Sequence, residues 1–217
     1  MATTSTAAPG PGRAHDAATS GNAPGAATKN AKKPSARDRL LTAANELFYE
    51  EGIHTVGIDR VIERAGVAKA TLYSAFGSKD ALIRAYLESR QRSRSARTAR
   101  HMIGKETPRE RLLAIFDALG ESVTMPTYRG CAFANASAEA MPGSATAAAV
   151  DEYRDWLHEM LLDLCSQVGA HDSARLAGQL QLIYDGVGLA ARQDHDAAVA
   201  ASNGRSAADA LITAATA

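Results

Sequence analysis

The sequence predicts an all-α protein. Large apolar residues recur with the three- and four-residue spacing of a helix face through most of residues 35–217. Glycine and proline interrupt this spacing, and no segment shows the alternation of apolar and polar residues that is typical of a half-buried strand. With 217 residues, of which 46% are hydrophobic, the chain can build a substantial core.

The first half of the chain predicts a disordered tail and four helices. Residues 1–34 are almost wholly small or polar, so too few large apolar side chains are present to offset the entropy of ordering. After this tail, apolar residues at helical spacing predict helices that end at Gly52, Gly66 and Gly77, and Ser78 caps a fourth helix. The apolar positions that define these helices are, in chain order, Leu40, Ala44, Leu47 and Phe48; Ile58, Val61, Ile62 and Ala65; Leu72 and Phe76; and Leu82, Ile83, Tyr86 and Leu87.

The second half predicts five further helices. Proline at residues 126 and 142 disfavours helix continuation, and Gly169 is typical of a helix end. The helices predicted between these breaks run over about residues 108–123, 131–140, 144–168, 173–193 and 206–215.

Composition excludes several classes of protein. No run approaches the roughly 18 to 20 apolar residues of a membrane-spanning helix, and the first residues lack the apolar core of a secretory signal. We therefore expect a cytoplasmic protein with no membrane partner. Cys131 and Cys165 are the only cysteines and form no CxxC pair, so we expect neither a disulfide framework nor a zinc site. We interpret both as small buried apolar residues.

No pattern of catalytic or metal-ligating residues emerges. The chain lacks GxSxG, HExxH and a phosphate-binding loop, and DGVG at 185–188 lacks the preceding strand and the third glycine of a dinucleotide site. His195 lies between two aspartates and His158 lies near acidic residues, but each set is too small for a metal site. We interpret both as solvated surface groups. The sequence therefore predicts no enzyme, no metal and no cofactor.

The net charge of zero hides an uneven distribution. Residues 1–105 contain 17 Lys and Arg against 9 Asp and Glu, a net charge of +8, whereas residues 106–217 contain 7 against 15, a net charge of −8. A polyanion such as DNA would be attracted to the first part and repelled by the second. A chance distribution of solvated charges explains the same numbers.

Residues 57–76, GIDRVIERAGVAKATLYSAF, have the spacing of a helix-turn-helix. A turn of about three residues would place the second short helix across the first, so that it can enter a major groove about 12 Å wide. This spacing also occurs in ordinary helical hairpins. The side chains that the second helix would expose, with the lysine that follows it, are Lys69, Ala70, Thr71, Tyr73, Ser74 and Lys79.

Residues 37–87 resemble the DNA-binding domain of the TetR family of bacterial repressors. The stretches that carry the resemblance are RLLTAANELFYEEG, IDRVIERAGVAKATLY and FGSKDALIRAYL, in the family's order and spacing. The resemblance implies an N-terminal three-helix DNA-binding domain over residues 35–95, which contains the helix-turn-helix. It also implies a helical-bundle domain for ligand binding and dimerisation over residues 96–217.

The resemblance implies which residues contact double-stranded DNA. Lys69, Thr71, Tyr73 and Lys79 would contact phosphates, while two small residues, Ala70 and Ser74, would face the bases. Two positions depart from the family. Gly57 stands where many members have a threonine, and Ala75 stands where many have an aromatic residue or a histidine. Thr55 could replace the first of these contacts.

The resemblance further implies a homodimer, formed largely by the last two long helices, that binds a palindromic operator. Five residues at helical spacing suit such an interface, although the same spacing suits a helix in the core of a single subunit. These residues are Leu176, Leu180, Ile183, Val187 and Ala191.

A small-molecule cavity within each subunit is also implied. Its candidates mix apolar area with polar groups, although residues of this kind more often fill a core. They are Phe116, Met125, Phe133, Asn135, Trp156, Met160 and Tyr184. We expect an apolar or amphipathic ligand that releases a repressor from its operator. The alternative is a DNA-binding regulator without a ligand, controlled by its own concentration or by a protein partner.

Overall fold

The computed structural model describes residues 34–194 and 196–217, and every regular element in these ranges is an α-helix. This confirms the all-α prediction. The disorder predicted for the N-terminal tail concerns residues that, apart from Pro34, lie outside this description. The helices are α1 (Ala36–Glu51), α2 (Ile58–Ala65), α3 (Lys69–Phe76), α4 (Lys79–Met102), α5 (Pro108–Val123), α6 (Ala132–Glu139), α7 (Ala145–Gln167), α8 (Ser173–Gln193) and α9 (Ala197–Thr216).

Local signals position the first helices as the sequence predicts. Ser35 and Asp38 form a capping box at the start of α1, in which the Ser35 hydroxyl accepts from the backbone N–H of Asp38 at 3.1 Å. Gly66 ends α2 in the left-handed conformation, with a φ of 61° that a side chain would make unfavourable. Residues 66–68 then form the predicted three-residue turn, and α3 begins at Lys69.

We call α1, α2, α3 and the N-terminal half of α4 the head. α1 packs against the other three helices of the head. The apolar residues that the sequence assigns to the interior are almost all buried: Leu40, Ala44, Leu47, Phe48, Val61, Ala65, Leu72, Leu82, Ile83, Tyr86 and Leu87. Their burial holds α3 across α2 on a shared core.

We call the C-terminal half of α4 together with α5 to α9 the body. α5 lies at its centre and contacts α4, α7, α8 and α9. The inward face of α5 is apolar, and its residues Leu112, Ile115, Phe116 and Leu119 are buried. None of the helices described in the head or in the body is long and apolar enough to cross a membrane.

The last helix begins earlier than predicted. α9 starts at Ala197 rather than near residue 206, because the side chain of Asp196 accepts from the backbone N–H of Val199 at 3.0 Å and caps it there. Asn203 and Gly204 form a pair typical of turns, yet both lie inside the helix. A Cβ on Gly204 would lie 2.0 Å from Cγ2 of Val187, so this glycine permits the close approach of α9 to α8.

We predict that Gly204→Ala destabilises the protein by about 1 to 3 kcal/mol. The added methyl overlaps Val187, whose β-branched side chain has only one strongly preferred rotamer in a helix and cannot easily turn away. Gly178→Ala is the matched control, because nothing lies within 4 Å of a Cβ at that helical position. Urea denaturation gives the free energy of unfolding of both variants. Equal stability of Gly204→Ala and the native chain would contradict the packing described here.

Candidate nucleic-acid interface and core cavities

One face of α3 is exposed along its whole length. Lys69, Ala70 and Ser74 are exposed, and Tyr73 keeps 46% of its surface accessible, which is unusual for so large a side chain. Leu72, on the opposite face, is fully buried in the head. Thr71 is half-buried rather than fully exposed. The helix thus presents a narrow, mostly small and polar surface with one aromatic ring in the middle.

Lys69 is held by a neighbour that sequence reasoning missed. Its Nζ lies 3.0 Å from Oδ1 of Asp59 on α2, and both side chains are well exposed. This hydrogen bond and the negative charge of Asp59 raise the pKa of Lys69. In the sequence, only the helix-turn-helix spacing of residues 57–76 pointed to a contact between α2 and α3. That spacing does not tell which side chains of the two helices meet.

The two ends of α3 differ in the side-chain contacts that hold them. Ala68 precedes α3 and offers no side-chain cap to its first amides. At the other end, Phe76 is half-buried, with the guanidinium of Arg37 4.6 Å from the centre of its ring. Lys79 follows as the first residue of α4 and is half-buried, while Thr55 is exposed in the turn before α2. The predicted DNA contacts thus lie at both ends of the helix-turn-helix as well as along α3.

Part of the excess positive charge of the first half is paired with acidic residues of the second half at the surface. Arg84 of α4 pairs with Glu152 of α7 at 2.8 Å. Glu121 of α5 contacts Arg97, Arg100 and His101, at 3.1, 3.0 and 2.7 Å. The bond from His101, followed by those from the two arginines, lowers the pKa of Glu121 to about 2. The pair of Arg84 with Glu152 joins the head to the body, whereas the contacts of Glu121 lie within the body.

The head joins the body at the C-terminal end of α1. The hydroxyl of Tyr49 donates to the carbonyl of Gly130 at 2.8 Å and accepts from the N–H of Arg129 at 2.9 Å. The guanidinium of Arg90 lies 3.9 Å from the centre of the Tyr49 ring and donates to the carbonyl of Asn45 at 2.8 Å. We call these contacts of Tyr49 and Arg90 the joint.

The residues predicted to line a pocket separate into two groups. Phe133 and Asn135 line a cavity of about 650 Å³ between α6, α7 and α8, together with Tyr153 and Leu189. Phe133 stacks on Tyr153 with ring centres 3.7 Å apart, and Trp156 lies 5.8 Å from Tyr153. Phe116 and Tyr184 are buried against each other, and neither of them, nor Trp156 or Met160, lines this cavity.

A second cavity, of about 230 Å³, lies under the segment of residues 125–130. Met125 reaches this cavity, while 43% of its surface stays exposed. The other walls were not predicted. They come from Tyr49 of the joint, from Tyr128, and from three arginines of α4, which are Arg90, Arg94 and Arg97. The spacing of these arginines by four and three residues was the sequence signal that could have shown their common face.

Arg94 lies between the two cavities. Its guanidinium donates to the hydroxyl of Tyr153 and lies 3.7 Å from Sγ of Cys131. Ring centres of Phe133, Tyr153 and Tyr184 lie 5.7, 5.0 and 5.9 Å from it. Burial acts to lower the pKa of Arg94, but the phenols of Tyr184 and Tyr153 and the thiol of Cys131 hold that pKa well above its ordinary value. The cation is therefore permanent.

The predicted dimer residues mostly face the interior of the subunit. Leu176, Leu180, Val187 and Ala191 are buried against other helices of the same chain, and Ile183 is half-buried. This corrects the prediction, because residues already buried in one subunit add little area to a contact with another. The exposed face of α8 carries Leu182 and Leu189, which are 73% and 56% accessible, and α9 adds Val199 at 52%.

The remaining candidates carry no site. His158 is half-buried and its Nδ1 lies 2.9 Å from Oε1 of Gln181, so it is not the solvated group that we expected. Cys165 is buried, whereas Cys131 is only half-buried and contacts Arg94. Among the residues that the structure describes, no three His, Cys, Asp or Glu side chains could hold a metal ion. His195 lies outside the described residues.

Comparison with known proteins agrees with this geometry. Residues 40–86 match the family of bacterial regulatory proteins described as the tetR family. The crystal structure of SCO4454, a TetR-family transcriptional regulator from Streptomyces coelicolor, superposes with a TM-score of 0.79 and 32% identity, covering 84% of this chain and 96% of that one.

The curated relatives include an activator and a repressor of transcription. The transcriptional activator FasR of Mycolicibacterium smegmatis is 46% identical over 52 residues, which are 24% of this chain and 24% of FasR, so the match spans about a quarter of that relative. The transcriptional repressor ComR of Escherichia coli is 28% identical over 167 residues, covering 72% of this chain and 80% of ComR. These relatives are transcription regulators and not enzymes.

Proposed function

The chain belongs to the TetR family of DNA-binding transcriptional regulators, and on this premise we propose that it is a dimeric repressor that a small molecule releases from a palindromic operator. The observation that carries the proposal is the joint. It connects the head, which exposes α3, to a body that contains cavities. Because such a regulator acts on the chromosome, we place its action in the cytoplasm.

We propose that residues 35–95 form the DNA-binding domain and that residues 96–217 form the domain for ligand binding and dimerisation. In the DNA-binding domain, the exposed face of α3 would lie in the major groove. Lys69, Thr71, Tyr73 and Lys79 would contact phosphates, helped by Thr55 before α2, and the small Ala70 and Ser74 would allow the helix to approach base edges. The exposure of Tyr73 supports this assignment, because a large aromatic residue is seldom left in solvent without a partner.

The dimer would form through the exposed faces of α8 and α9. Leu182, Leu189 and Val199 supply apolar area there, and nothing lies within 4 Å of a Cβ at Gly186, so a partner helix could approach closely. A two-fold arrangement of this kind would place two copies of α3 about 34 Å apart on one side of a duplex. It predicts an operator with two inverted half-sites.

Release would act through the joint. A ligand that moves α4 or the segment of residues 125–130 would disturb the bonds of Tyr49 and thereby reposition the head. The ligand must bind the free protein more tightly than the DNA complex, by the same factor by which it weakens DNA binding. ComR, which is named a repressor, matches 72% of this chain, whereas FasR, which is named an activator, matches 24% of it, and this difference supports a repressor.

We predict that Lys79→Ala weakens binding to all duplex sequences alike. Removing one phosphate contact should lower the slope of log affinity against log salt by about 0.9. Lys105→Ala is the matched control, since Lys105 follows α4 at the end remote from the head. Binding to duplexes that the native chain selects from a random library, titrated at several salt concentrations, gives both slopes. A slope unchanged by Lys79→Ala would remove this lysine from the interface.

If the exposed face of α8 forms the dimer, a variant with both Leu182→Glu and Leu189→Glu should be a monomer. Its operator binding should be at least tenfold weaker, because two buried charges oppose association. Ile103→Glu controls for the loss of an exposed apolar side chain, since Ile103 is 79% accessible and lies between α4 and α5. Sedimentation velocity measures the mass of each variant. A dimer that survives both substitutions would place the interface elsewhere.

The release mechanism predicts that compounds which raise the melting temperature also weaken operator binding. A thermal-shift screen of small amphipathic molecules, followed by operator titration, tests this in the native chain. Tyr49→Phe should weaken operator binding even without a compound and leave the compound less to do, because it removes both hydrogen bonds of the joint and keeps the ring. Stabilisation with unchanged DNA affinity would refute release and favour a regulator controlled by concentration or a protein partner.

A further inference from the structure

Three guanidinium groups converge on the smaller cavity. Arg90, Arg94 and Arg97 project from one face of α4 toward the segment of residues 125–130, and all three line the cavity of about 230 Å³. Like charges gathered in a confined space repel each other, and this repulsion is strong where water is partly excluded. Such a cluster is stable only when negative charge or strong acceptors compensate it.

The compensation within the described residues is incomplete. Arg97 lies 3.1 Å from a carboxylate oxygen of Glu121, but that carboxylate also serves Arg100 and His101. No carboxylate of a described residue lies within 4.0 Å of Arg90 or Arg94. The Nε of Arg90 is buried and has no hydrogen-bond partner. Buried donors without an acceptor are uncommon, since each loses the hydration that it had in water.

Arg94 is half-buried and is bound only by acceptors without negative charge. Its partners are the hydroxyl of Tyr153 and the sulfur of Cys131, both neutral, and the faces of three aromatic rings. A guanidinium has five N–H donors in a planar fork that fits a carboxylate in a bidentate manner. The two arginines therefore offer donors to a negatively charged acceptor that the described part of the chain does not itself supply.

The other walls of the cavity suit the body of an organic acid. The side chains of Ser93, Ser122 and Thr127 add hydroxyls, while Tyr49, Tyr128, Met125 and Ala132 add rings and apolar surface. No acidic side chain of residues 34–194 or 196–217 lines the cavity. An inorganic anion would leave this apolar surface unfilled. A small molecule with one carboxylate and an apolar or aromatic body matches both parts of the wall.

We propose that this cavity is the binding site of a small organic carboxylate, held by the guanidinium groups of Arg90 and Arg94. The inference rests on the proposed function, since it gives the chemical class of the releasing ligand. Arg90 also stacks on Tyr49, so the anion would bind one residue of the joint directly. The ligand would thus act where the head meets the body.

The native chain tests the proposal without any variant. Isothermal titration compares benzoate with benzamide, which has the same ring and no charge. We expect benzoate to bind once per subunit and benzamide to bind at least about tenfold more weakly, because hydrogen bonds to a charged group are the stronger ones. Equal binding of the two compounds, or no saturation by benzoate up to about 10 mM, would overturn the proposal. Displacement of benzoate by an equal concentration of inorganic phosphate would show an inorganic anion site instead.

Variants then locate the site. Arg94→Gln and, separately, Arg90→Gln should each weaken benzoate binding at least tenfold, whereas Arg92→Gln, on the exposed face of the same helix, should not. Two separate variants are used because one of them could fail to fold. The melting temperature of each variant shows whether it is folded. Native benzoate affinity in both variants would exclude this cavity.

Operator binding separates this inference from the proposed function. Saturable binding of benzoate that leaves operator affinity unchanged would support the carboxylate site and refute release through it. Failure to bind benzoate, with operator binding intact and another compound causing release, would refute the carboxylate site and leave the ligand-released repressor standing.

Discussion

The helix α4 is continuous and packs in both the head and the body. The other features of the structure depend on this shared helix. Its N-terminal half buries Leu82, Ile83 and Tyr86 in the head, where they support the helix-turn-helix. Its C-terminal half packs against α5 and α7 and turns arginines toward a cavity in the body. A hydrogen-bonded helix of 24 residues bends little without a proline or a bulge. A shift at one end is therefore carried to the other.

The joint adds a second connection beside α4. Tyr49 of α1 binds the backbone of residues 129 and 130, and Gly130 also lines the smaller cavity. The head is thus held by the shared helix, by the two hydrogen bonds of Tyr49, by the pair of Arg84 with Glu152 and by a bond from the His54 N–H to Glu139. Each hydrogen bond of Tyr49 contributes only about 0.5 to 1.5 kcal/mol. This strength is suited to regulation, because a ligand can outweigh the joint without having to unfold a core.

Charge in this chain has two separate uses. The opposite net charges of the two halves suggested a surface that attracts DNA, but part of the positive excess on α4 pairs with Glu121 and Glu152 of the same chain, in partly exposed ion pairs. Lys69 and Lys79 lie on and beside α3, where a phosphate backbone would pass, and Lys69 is already paired with Asp59 of α2. A count along the sequence cannot separate these uses, since it has no information on which face of α4 each arginine occupies.

Sequence alone determined the helices, their caps and the resemblance of residues 37–87 to a DNA-binding domain, because these depend on residues within one or two helical turns. It placed Lys69, Ala70, Tyr73 and Ser74 on one exposed face for the same reason. It missed the start of α9, since the need for Gly204 arises from Val187 on another helix, and it assigned the buried face of α8 to a dimer because spacing identifies a face but not its partner. Only the tertiary structure decided the joint, the cavities and the position of Arg94. Each of them brings together side chains that are far apart in the chain, and local sequence preferences do not determine such long-range contacts.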